Sequence, residues 1–312
     1  MKKITILIPC YNEEQSLPLL YPELVKLMDG NKAYEWELLF VNDGSLDGTL
    51  ELLHQLRQQD ERVNIVSLSR NFGKEVAMLA GFDYAKGDCL VIVDADLQDP
   101  PELIPEMIKW WEQGYEDVYA RRKSRGKESW LRKRLSMTFY RMLQQSSRFD
   151  VLQNVGDFRL LDRRCINALR KMRESERYTK GMYSWIGFKK KEIEFDRGDR
   201  HAGKSSWNYN QLFSLAIDGI TSFSSLPLRI STIVGCIVSL LAFIYMMVVF
   251  VRALVWGNPV QGYPSLLVII LFLGGIQLLS LGIIGEYIGR IYSESKNRPD
   301  YFVDEYNEEK VI

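Results

Sequence analysis

Two aspartates stand where a predicted buried strand ends. Asp94, Ala95 and Asp96 directly follow the apolar residues 89–93. Carboxylates two residues apart can place their oxygens around one hard cation, and Mg²⁺ or Mn²⁺ bridging a diphosphate is the natural occupant. By itself the triplet is also typical of solvated loop acids. Its position favours a cation site, because ligands bind at the carboxyl ends of parallel strands.

Three further loops place polar side chains or glycine after predicted strands. They are Pro9-Cys10-Tyr11-Asn12-Glu13 after strand 4–9, Asn42-Asp43-Gly44-Ser45 after strand 37–41, and Arg70-Asn71-Phe72-Gly73-Lys74 after strand 64–69. Asp43 would also suit an ordinary turn, but four such loops in one sheet predict a nucleotide site. The chain has neither a G-x-G-x-x-G nor a G-x-x-x-x-G-K-[ST] motif, so dinucleotide and P-loop sites are disfavoured.

The elements that carry these loops alternate along the first 120 residues. Apolar strands are predicted at 4–9, 37–41, 64–69, 89–93 and 118–120, and helices at 17–28, 49–59, 74–85 and 102–113. Such alternation predicts an α/β domain with a mostly parallel, Rossmann-like sheet that is covered by helices on both faces.

Composition argues against several other classes of protein. The 312 residues hold 40 Lys and Arg against 40 Asp and Glu, and this net charge of zero gives no support to a nucleic-acid binder. The four cysteines form no C-x-x-C pair, which argues against a zinc ribbon or a disulfide framework. Two histidines are too few for a multi-histidine metal site.

A basic segment follows the fifth predicted strand. Eight of residues 121–134 are Lys or Arg, and Glu128 is the one acid among them. Leu131, Leu135 and Phe139 then recur at helical spacing, which predicts a basic amphipathic helix that contacts anionic lipid headgroups or a phosphate. A solvated surface helix is the alternative. Residues 207–223 form a second amphipathic pattern, without the basic residues usual at a membrane interface.

Two uncharged stretches, residues 230–251 and 264–285, are each long enough to span a bilayer as a helix. The basic residues beside them lie mostly on one side, at Arg229, Arg290, Lys296 and Arg298, against Arg252 in the short connection. The positive-inside rule therefore places the large domain and both termini in the cytoplasm. The acidic tail, residues 304–309, is expected to be mobile.

Small residues gather on one face of the second stretch, at Gly275, Gly282, Gly285 and Gly289. Small residues let helices approach closely in lipid, which predicts a homo-oligomer, with a tetramer as the guess. The alternative is that this face packs on the first stretch of the same chain.

The sequences P-C-Y-N-E, N-D-G-S, R-N-F-G-K and D-A-D-L-Q-D-P-P together resemble family 2 glycosyltransferases with the GT-A fold. The similarity covers about residues 1–225. Within the family the chain looks like the group of dolichol-phosphate mannose synthases and bactoprenol glucosyltransferases, and its two C-terminal spans look like the bactoprenol branch. The resemblance implies transfer of a hexose from a nucleotide sugar to a polyprenyl phosphate, at the cytoplasmic face of the bacterial inner membrane. Glucose from UDP-glucose is favoured, with mannose from GDP-mannose or formamido-arabinose as alternatives.

The resemblance also implies roles for individual residues. The nucleotide-sugar site would be formed by Pro9, Tyr11, Asn12, Glu13, Asp43, Gly73, Lys74, Ala95, Gln98, Arg200 and Ser205. Asp94 and Asp96 would be catalytic and hold Mg²⁺ or Mn²⁺, Asp96 most directly. The acceptor phosphate and the membrane would be contacted by Arg121, Arg122, Arg125, Lys133, Arg134 and Arg159. Ser206 stands where the family's R-x-x-G-x-S-K loop commonly has Lys, so one cationic contact is missing unless Lys204 substitutes.

Asp157 is the family-like candidate for a general base, or else it orients Arg159 or the metal. The second pKa of a phosphate is about 6, so the acceptor is already largely anionic at pH 7 and needs a strong base less than a sugar hydroxyl does. Direct in-line attack would invert the anomeric centre. No second nucleophile is evident, which argues against a covalent glycosyl-enzyme.

The predicted layout has four parts: a catalytic domain at 1–200, an acceptor loop and interfacial helix at 201–228, a transmembrane hairpin at 229–290 and a cytoplasmic tail at 291–312. Two rival functions are a processive polysaccharide synthase and a non-catalytic nucleotide-sugar sensor. The sequence Gln145-Ser146-Ser147-Arg148-Phe149 is a near miss to the Q-x-x-R-W motif of the synthases, but it precedes Asp157. The intact D-A-D and R-x-x-G-x-S sequences argue against the sensor.

Overall fold

A mixed sheet of nine strands lies at the centre of the computed structural model, which describes residues 1–122, 155–175, 177–195, 226–256 and 262–311. The strands are β1 Lys3–Cys10, β2 Glu35–Asn42, β3 Val63–Leu68, β4 Cys89–Ile92, β5 Asp117–Arg122, β6 Val155–Asp162, β7 Lys190–Phe195, β8 Val303–Tyr306 and β9 Glu309–Lys310. The helices are α1 Leu17–Gly30, α2 Thr49–Gln59, α3 Lys74–Tyr84, α4 Ile104–Glu112, α5 Arg163–Lys171, α6 Thr179–Trp185, α7 Leu226–Trp256 and α8 Tyr263–Ser295, with a 3₁₀ turn at Pro101–Leu103.

The strand order brings the polar loops together. It runs β7-β5-β6-β4-β1-β2-β3-β8-β9. β1 pairs in parallel with β2 and β4, and β2 with β3, so the carboxyl ends of four strands meet at one edge. β6 runs antiparallel between β4 and β5. Its amino end therefore lies at the same edge as the carboxyl end of β4.

The central strand shows why helices cover both faces of the sheet. Ile4, Ile6 and Ile8 are fully buried in the core on the side of α1 and α4. Leu7 is fully buried on the opposite side, against α3 and α5. Successive strand residues point to opposite faces, so a continuous apolar run is buried on both.

The structure confirms the five strands and four helices predicted for the first 120 residues. Each observed element begins and ends within two residues of its prediction. The GT-A class predicted from the motifs is confirmed as well. β6 and β7, which follow the fifth strand, were not predicted as strands.

The C-terminal tail is a structured part of the sheet, so the prediction of a mobile tail was wrong. β8 pairs antiparallel with β3, and β9 folds back on β8. Val303 and Glu305 are buried, and Glu305 lies 2.6 Å from the imidazole of His54. The tail can be both acidic and ordered, because the buried Glu305 is paired with His54, and Asp304 and Tyr306, which alternate with the buried positions of β8, are only partly buried.

Both predicted spans lie within long helices, α7 and α8, which contact each other. Among the described residues, one stretch, Phe272–Ser295, is long and apolar enough to cross a membrane, and Ser231–Tyr245 is a shorter apolar stretch. Leu240, Phe243 and Leu278 are 57–72% exposed. The two predicted amphipathic segments, near 131–142 and 207–223, lie outside the described residues.

Candidate active site at the carboxyl edge of the sheet

A cleft of about 250 Å³ opens at the carboxyl ends of β1, β2 and β4. Nine residues predicted for the donor and the metal line it: Pro9, Tyr11, Glu13, Asp43, Gly73, Lys74, Asp94, Ala95 and Asp96. Cys10, Asn71 and Ala77 also line the cleft. The sequence reasoning did not select these three, because a small apolar side chain or a lone amide carries no distinctive chemical signal.

Asn12 ties the first loop to the second. Its backbone N–H donates to Ser45 Oγ at 3.0 Å, and its Oδ1 accepts from the Leu46 N–H at 2.8 Å. Its φ of 57° lies in the left-handed region, which asparagine tolerates better than most residues. The contact between Asn12 and the nucleotide sugar remains a prediction. The contacts that the structure gives it hold the two loops together.

Asp43 shapes the loop that precedes α3. The side chain is buried, its Oδ1 accepts from the Phe72 N–H at 2.7 Å and its Oδ2 accepts from the Gly73 N–H at 2.8 Å. Gly73 has a φ of 95°, a conformation in which residues with a Cβ are strained. Burial raises the pKa of Asp43, and the two N–H donors oppose that shift. Asp43 thereby fixes where Lys74 begins the helix.

Lys74 bridges Asp94, which lines the cleft, and Asp157, which does not. Its Nζ lies 2.7 and 2.9 Å from the two carboxylate oxygens of Asp94, and 2.9 Å from Oδ2 of Asp157. Burial favours a lower pKa for Lys74, but the charges of Asp157 and Asp94 outweigh it and raise the pKa above its ordinary value. Lys74 is therefore a protonated cation at neutral pH.

Asp157 lies at the amino end of β6, beside Asp94. Its side chain is 8% exposed, and its Oδ1 is buried and has no hydrogen-bond partner among the described residues. Burial alone would raise the pKa of Asp157. The ammonium groups of Lys74 and Lys180 outweigh burial and lower the pKa to about 2. Asp157 is thus ionised at every physiological pH, with one oxygen left to accept a hydrogen bond from a ligand.

The loop after β4 adds further acceptors. Asp96 Oδ1 accepts from the Gln98 N–H at 3.2 Å, and Gln98 Oε1 is buried, with no partner in the part of the chain that the structure describes. Asp99 is buried, and burial together with the charge of Asp94 raises its pKa to about 7, against the opposing effect of Arg122. Asp99 was not among the predicted site residues, although its place in D-A-D-L-Q-D was a usable signal.

Arg159 corrects a prediction. It was assigned to the acceptor phosphate and the membrane, but its side chain is 1% exposed and pairs with the fully buried Asp117 at 3.1 Å. Its guanidinium lies 3.7 Å from the ring centroid of Tyr183. A charge buried in this way is held by its partner, so Arg159 is unavailable to a lipid surface.

The other basic residues assigned to the acceptor are only partly described. Arg121 is 41% exposed and pairs with Glu192 at 3.1 Å and Glu194 at 2.7 Å. Arg122 is half-buried, and its Nε has no hydrogen-bond partner within the described ranges. The remaining predicted site residues lie outside the described residues: Arg125, Lys133, Arg134, Arg200 and Ser205.

The donor atoms fit a cation that arrives with its substrate. The described residues contain no group of three or more His, Cys, Asp or Glu poised to hold a metal. Mg²⁺, however, is commonly bound by one or two carboxylates and completes its shell with substrate phosphates and water. Asp94 and Asp96 line the cleft, and Gln98, whose backbone N–H donates to Asp96, has a buried side-chain carbonyl oxygen with no hydrogen-bond partner among the described residues. This set suits a cation shared with a diphosphate.

Comparison with known proteins gives the family. The model "Glycosyl transferase family 2" matches residues 5–170, and the model "GtrB C-terminal hairpin" matches residues 226–291. The chain is 45% identical to an uncharacterized glycosyltransferase of Synechocystis sp. over 97% of this chain and 95% of the relative. It is 44% identical to the bactoprenol glucosyl transferase of Shigella phage SfV, and 43% identical to the prophage bactoprenol glucosyl transferase homolog of Escherichia coli K12. Each covers 96% of this chain and 98% of the relative.

Among solved structures, the chain is similar to glucosyl-3-phosphoglycerate synthase from Mycobacterium tuberculosis in complex with Mn²⁺, UDP and glucosyl-3-phosphoglycerate. The identity is 16%, the TM-score is 0.45, and the match covers 70% of this chain and 78% of that chain. The polar edge of the parallel strands and the two family matches agree, and this chain belongs to the family 2 glycosyltransferases, with a GT-A fold and a C-terminal hairpin of the GtrB type.

Proposed function

We propose that the protein transfers glucose from UDP-glucose to a polyprenyl phosphate, with inversion at the anomeric carbon. The observation that carries this proposal is the similarity of 43–44% identity, across 96% of the chain, to relatives named bactoprenol glucosyl transferases. That similarity spans the catalytic domain and the hairpin together. A transferase that acts on a soluble acceptor would not need a C-terminal hairpin similar to that of the bactoprenol enzymes.

The donor binds in the cleft at the carboxyl edge. Asp94 and Asp96 would hold Mg²⁺ or Mn²⁺, and the cation would offset the negative charge that builds on the leaving nucleotide. Pro9, Tyr11 and Glu13 face the nucleoside. The fixed loop at Asp43 and Gly73 supports this arrangement, because it holds the β3–α3 connection in one conformation.

Asp157 orients groups in the site and does not act as the base that deprotonates the acceptor. A carboxylate with a pKa of about 2 is a weak base. The acceptor phosphate needs little deprotonation, because its second pKa is about 6. The Oδ1 of Asp157, which has no partner among the described residues, accepts a hydrogen bond from a hydroxyl group of the sugar, and its Oδ2 keeps Lys74 in place.

The hairpin places this chemistry at the membrane. We propose that α7 and α8 both span the inner membrane and that the catalytic domain and both termini are cytoplasmic. The catalytic domain, the acceptor loop with its interfacial helix, the hairpin and the tail would then meet near residues 200, 228 and 290. Arg122 and the basic residues that follow it meet the lipid phosphate. The protein assembles as a homo-oligomer through α8.

A donor panel tests the function. The purified full-length chain in detergent is given undecaprenyl phosphate and, in turn, radiolabelled UDP-glucose, GDP-mannose and a UDP-formamido-arabinose donor. We expect label in an organic-extractable lipid with UDP-glucose. Label from another donor would keep the reaction and change the sugar. Label in a water-soluble polymer, or no lipid product with any donor, would reject the proposal.

A further inference from the structure

Lys74 occupies the space between two acids that the donor site needs. Its ammonium donates to both oxygens of Asp94 and to one oxygen of Asp157, all within 2.9 Å. The backbone of Lys74 is set by the preceding turn, in which Asp43 accepts from the Gly73 N–H. The side chains of Lys74 and Asp94 are still 42% and 32% exposed, so a solute can reach them.

An ammonium held in this way competes with a divalent cation for Asp94. A cation bound to the same carboxylate would stand within a few ångströms of Nζ, where two positive charges repel. Asp157 offers the ammonium a second anchor that does not line the cleft. Lys74 can therefore leave Asp94 without becoming an unpaired charge.

We infer that Lys74 is a positioning residue. Its ammonium group stays paired with Asp94 while the nucleotide sugar is absent, and it leaves Asp94 when a divalent cation binds together with a diphosphate. The inference rests on the metal site of the proposed function and goes beyond the nucleotide-sugar contact predicted for Lys74. The anionic diphosphate supplies new partners for both positive charges. A divalent cation that binds without a diphosphate must therefore displace Lys74 from Asp94, which weakens its binding. A cation and a diphosphate that bind together strengthen each other's binding.

Metal binding without turnover tests this inference. Electron paramagnetic resonance of free Mn²⁺ gives the Kd of the full-length protein in detergent, with and without UDP. Lys74→Met keeps the length of the side chain and removes the charge. We expect it to tighten Mn²⁺ binding in the absence of UDP by about tenfold, and to reduce the further tightening that UDP causes. Structural damage would weaken binding, so the direction of the change is diagnostic.

Three variants complete the design. Lys180→Met is the matched control, because Lys180 lowers the pKa of Asp157 by its charge, and no contact between Lys180 and Asp94 is found among the described residues. It is expected to leave the Kd without UDP near that of the wild type. Lys74→Arg keeps the charge and should also bind Mn²⁺ weakly. Asp157→Asn removes the carboxylate charge that holds Lys74 when it leaves Asp94. Lys74 should then stay paired with Asp94, and Mn²⁺ binding should weaken several-fold.

The outcomes separate this inference from the proposed function. An unchanged or weaker Kd in Lys74→Met, with a wild-type Tm, would overturn the inference alone. Equal tightening in Lys180→Met would overturn it as well, because a general charge effect would then suffice. If Lys74→Met does not fold, an unchanged Kd in Asp157→Asn overturns it. Failure of Mn²⁺ to bind the wild type even with UDP would overturn the metal site together with this inference, whereas glucosyl transfer is measured separately by the lipid product.

Discussion

Burial raises the pKa of both Asp157 and Asp99, and the charges that each carboxyl group faces decide the direction of the net shift. Asp157 faces the ammonium groups of Lys74 and Lys180, and its pKa falls to about 2. Asp99 faces Asp94 while Arg122 compensates only in part, and its pKa rises to about 7. One buried carboxyl is therefore permanently ionised and the other is protonated for part of the time at neutral pH. The charges that lower the pKa of Asp157, on Lys74 and Lys180, belong to residues that are distant from it in the sequence.

Asp157→Asn should slow turnover by less than about 10²-fold, the lower end of what general base catalysis contributes. Because Asp157 is ionised throughout pH 5–9, the pH–rate profiles of the variant and the wild type should be parallel in that range. Its depressed pKa stabilises the folded state above the ordinary value near 3.9, and this contribution is lost as the pH falls through about 2. The Tm difference between the proteins should therefore shrink below about pH 4. A loss of 10⁴-fold would restore Asp157 as the base.

Asp96→Ala should abolish transfer, because it removes one of the two cleft carboxylates that we propose to hold the cation. EDTA should do the same to the wild type, and excess Mg²⁺ or Mn²⁺ should restore it. The measurement is labelled lipid formed per minute, with Tm as the check on folding. Full activity in EDTA would remove the metal from the mechanism.

At the scale of elements, the turn after β2 depends on close packing of two loops. Gly44 has a φ of 64°, and a Cβ at this position would stand 2.6 Å from the backbone nitrogen of Asn71. Both the conformation and the space therefore require glycine here. The contact joins the loop after β2 to the loop after β3. These two loops form walls of the cleft, and they can approach this closely only because residue 44 has no side chain.

Gly44→Ala should destabilise the protein by about 1–3 kcal/mol, and lower Tm by roughly 2–10 °C, because it adds backbone strain and a clash. It should also raise the KM for the donor, since the β3–α3 loop must shift. Gly30→Ala is the control, because a Cβ at that position would meet no described atom within 4 Å apart from its chain neighbours and the backbone of its own helix. Equal Tm values for the two variants would contradict this account.

At the scale of the whole molecule, the C-terminal segment joins the membrane hairpin to the catalytic domain. The Ser175 N–H donates to Glu294 at the end of α8 at 2.7 Å, and the Tyr301 hydroxyl donates to Asp83 of α3 at 2.6 Å. β8 then pairs with β3. Because β3 leads directly into the loop that carries Gly73 and Lys74, the tail supports one wall of the cleft.

Deletion of residues 303–312 should lower Tm and raise the KM for the donor more than it lowers kcat, because it leaves the edge of β3 unpaired. Lys310→Ala is the control, since it removes only an exposed ion pair with Asp304, and pairs of this kind contribute little. Thermal unfolding and donor titration provide the two measurements. Unchanged values after the deletion would show that the tail is dispensable.

Oligomerisation through α8 remains a prediction, and the structure leaves its glycine face available. No atom of the described residues lies within 4 Å of a Cβ built on Gly275, Gly282, Gly285 or Gly289. Gly282→Leu with Gly285→Leu should therefore reduce the mass measured in detergent, by obstructing close helix packing. Ser280→Leu, on the opposite face of the helix, should not. A monodisperse, fully active wild-type monomer would reject the idea.

The sequence by itself determined the first five strands, the four helices between them and nine residues of the cleft. Strands buried on both faces appear as continuous apolar runs, and parallel strands bring the residues that follow them to one edge. The glycosyltransferase family was equally accessible, because its motifs are local.

Only the tertiary structure decided which distant residues meet. β6 enters the sheet antiparallel between β4 and β5, and this topology brings Asp157 to Lys74 and buries Arg159 on Asp117. The same holds for the tail, whose acids gave no sign that it pairs with β3. Strand order and register depend on long-range pairing, whereas apolar periodicity reports only which face of an element is buried.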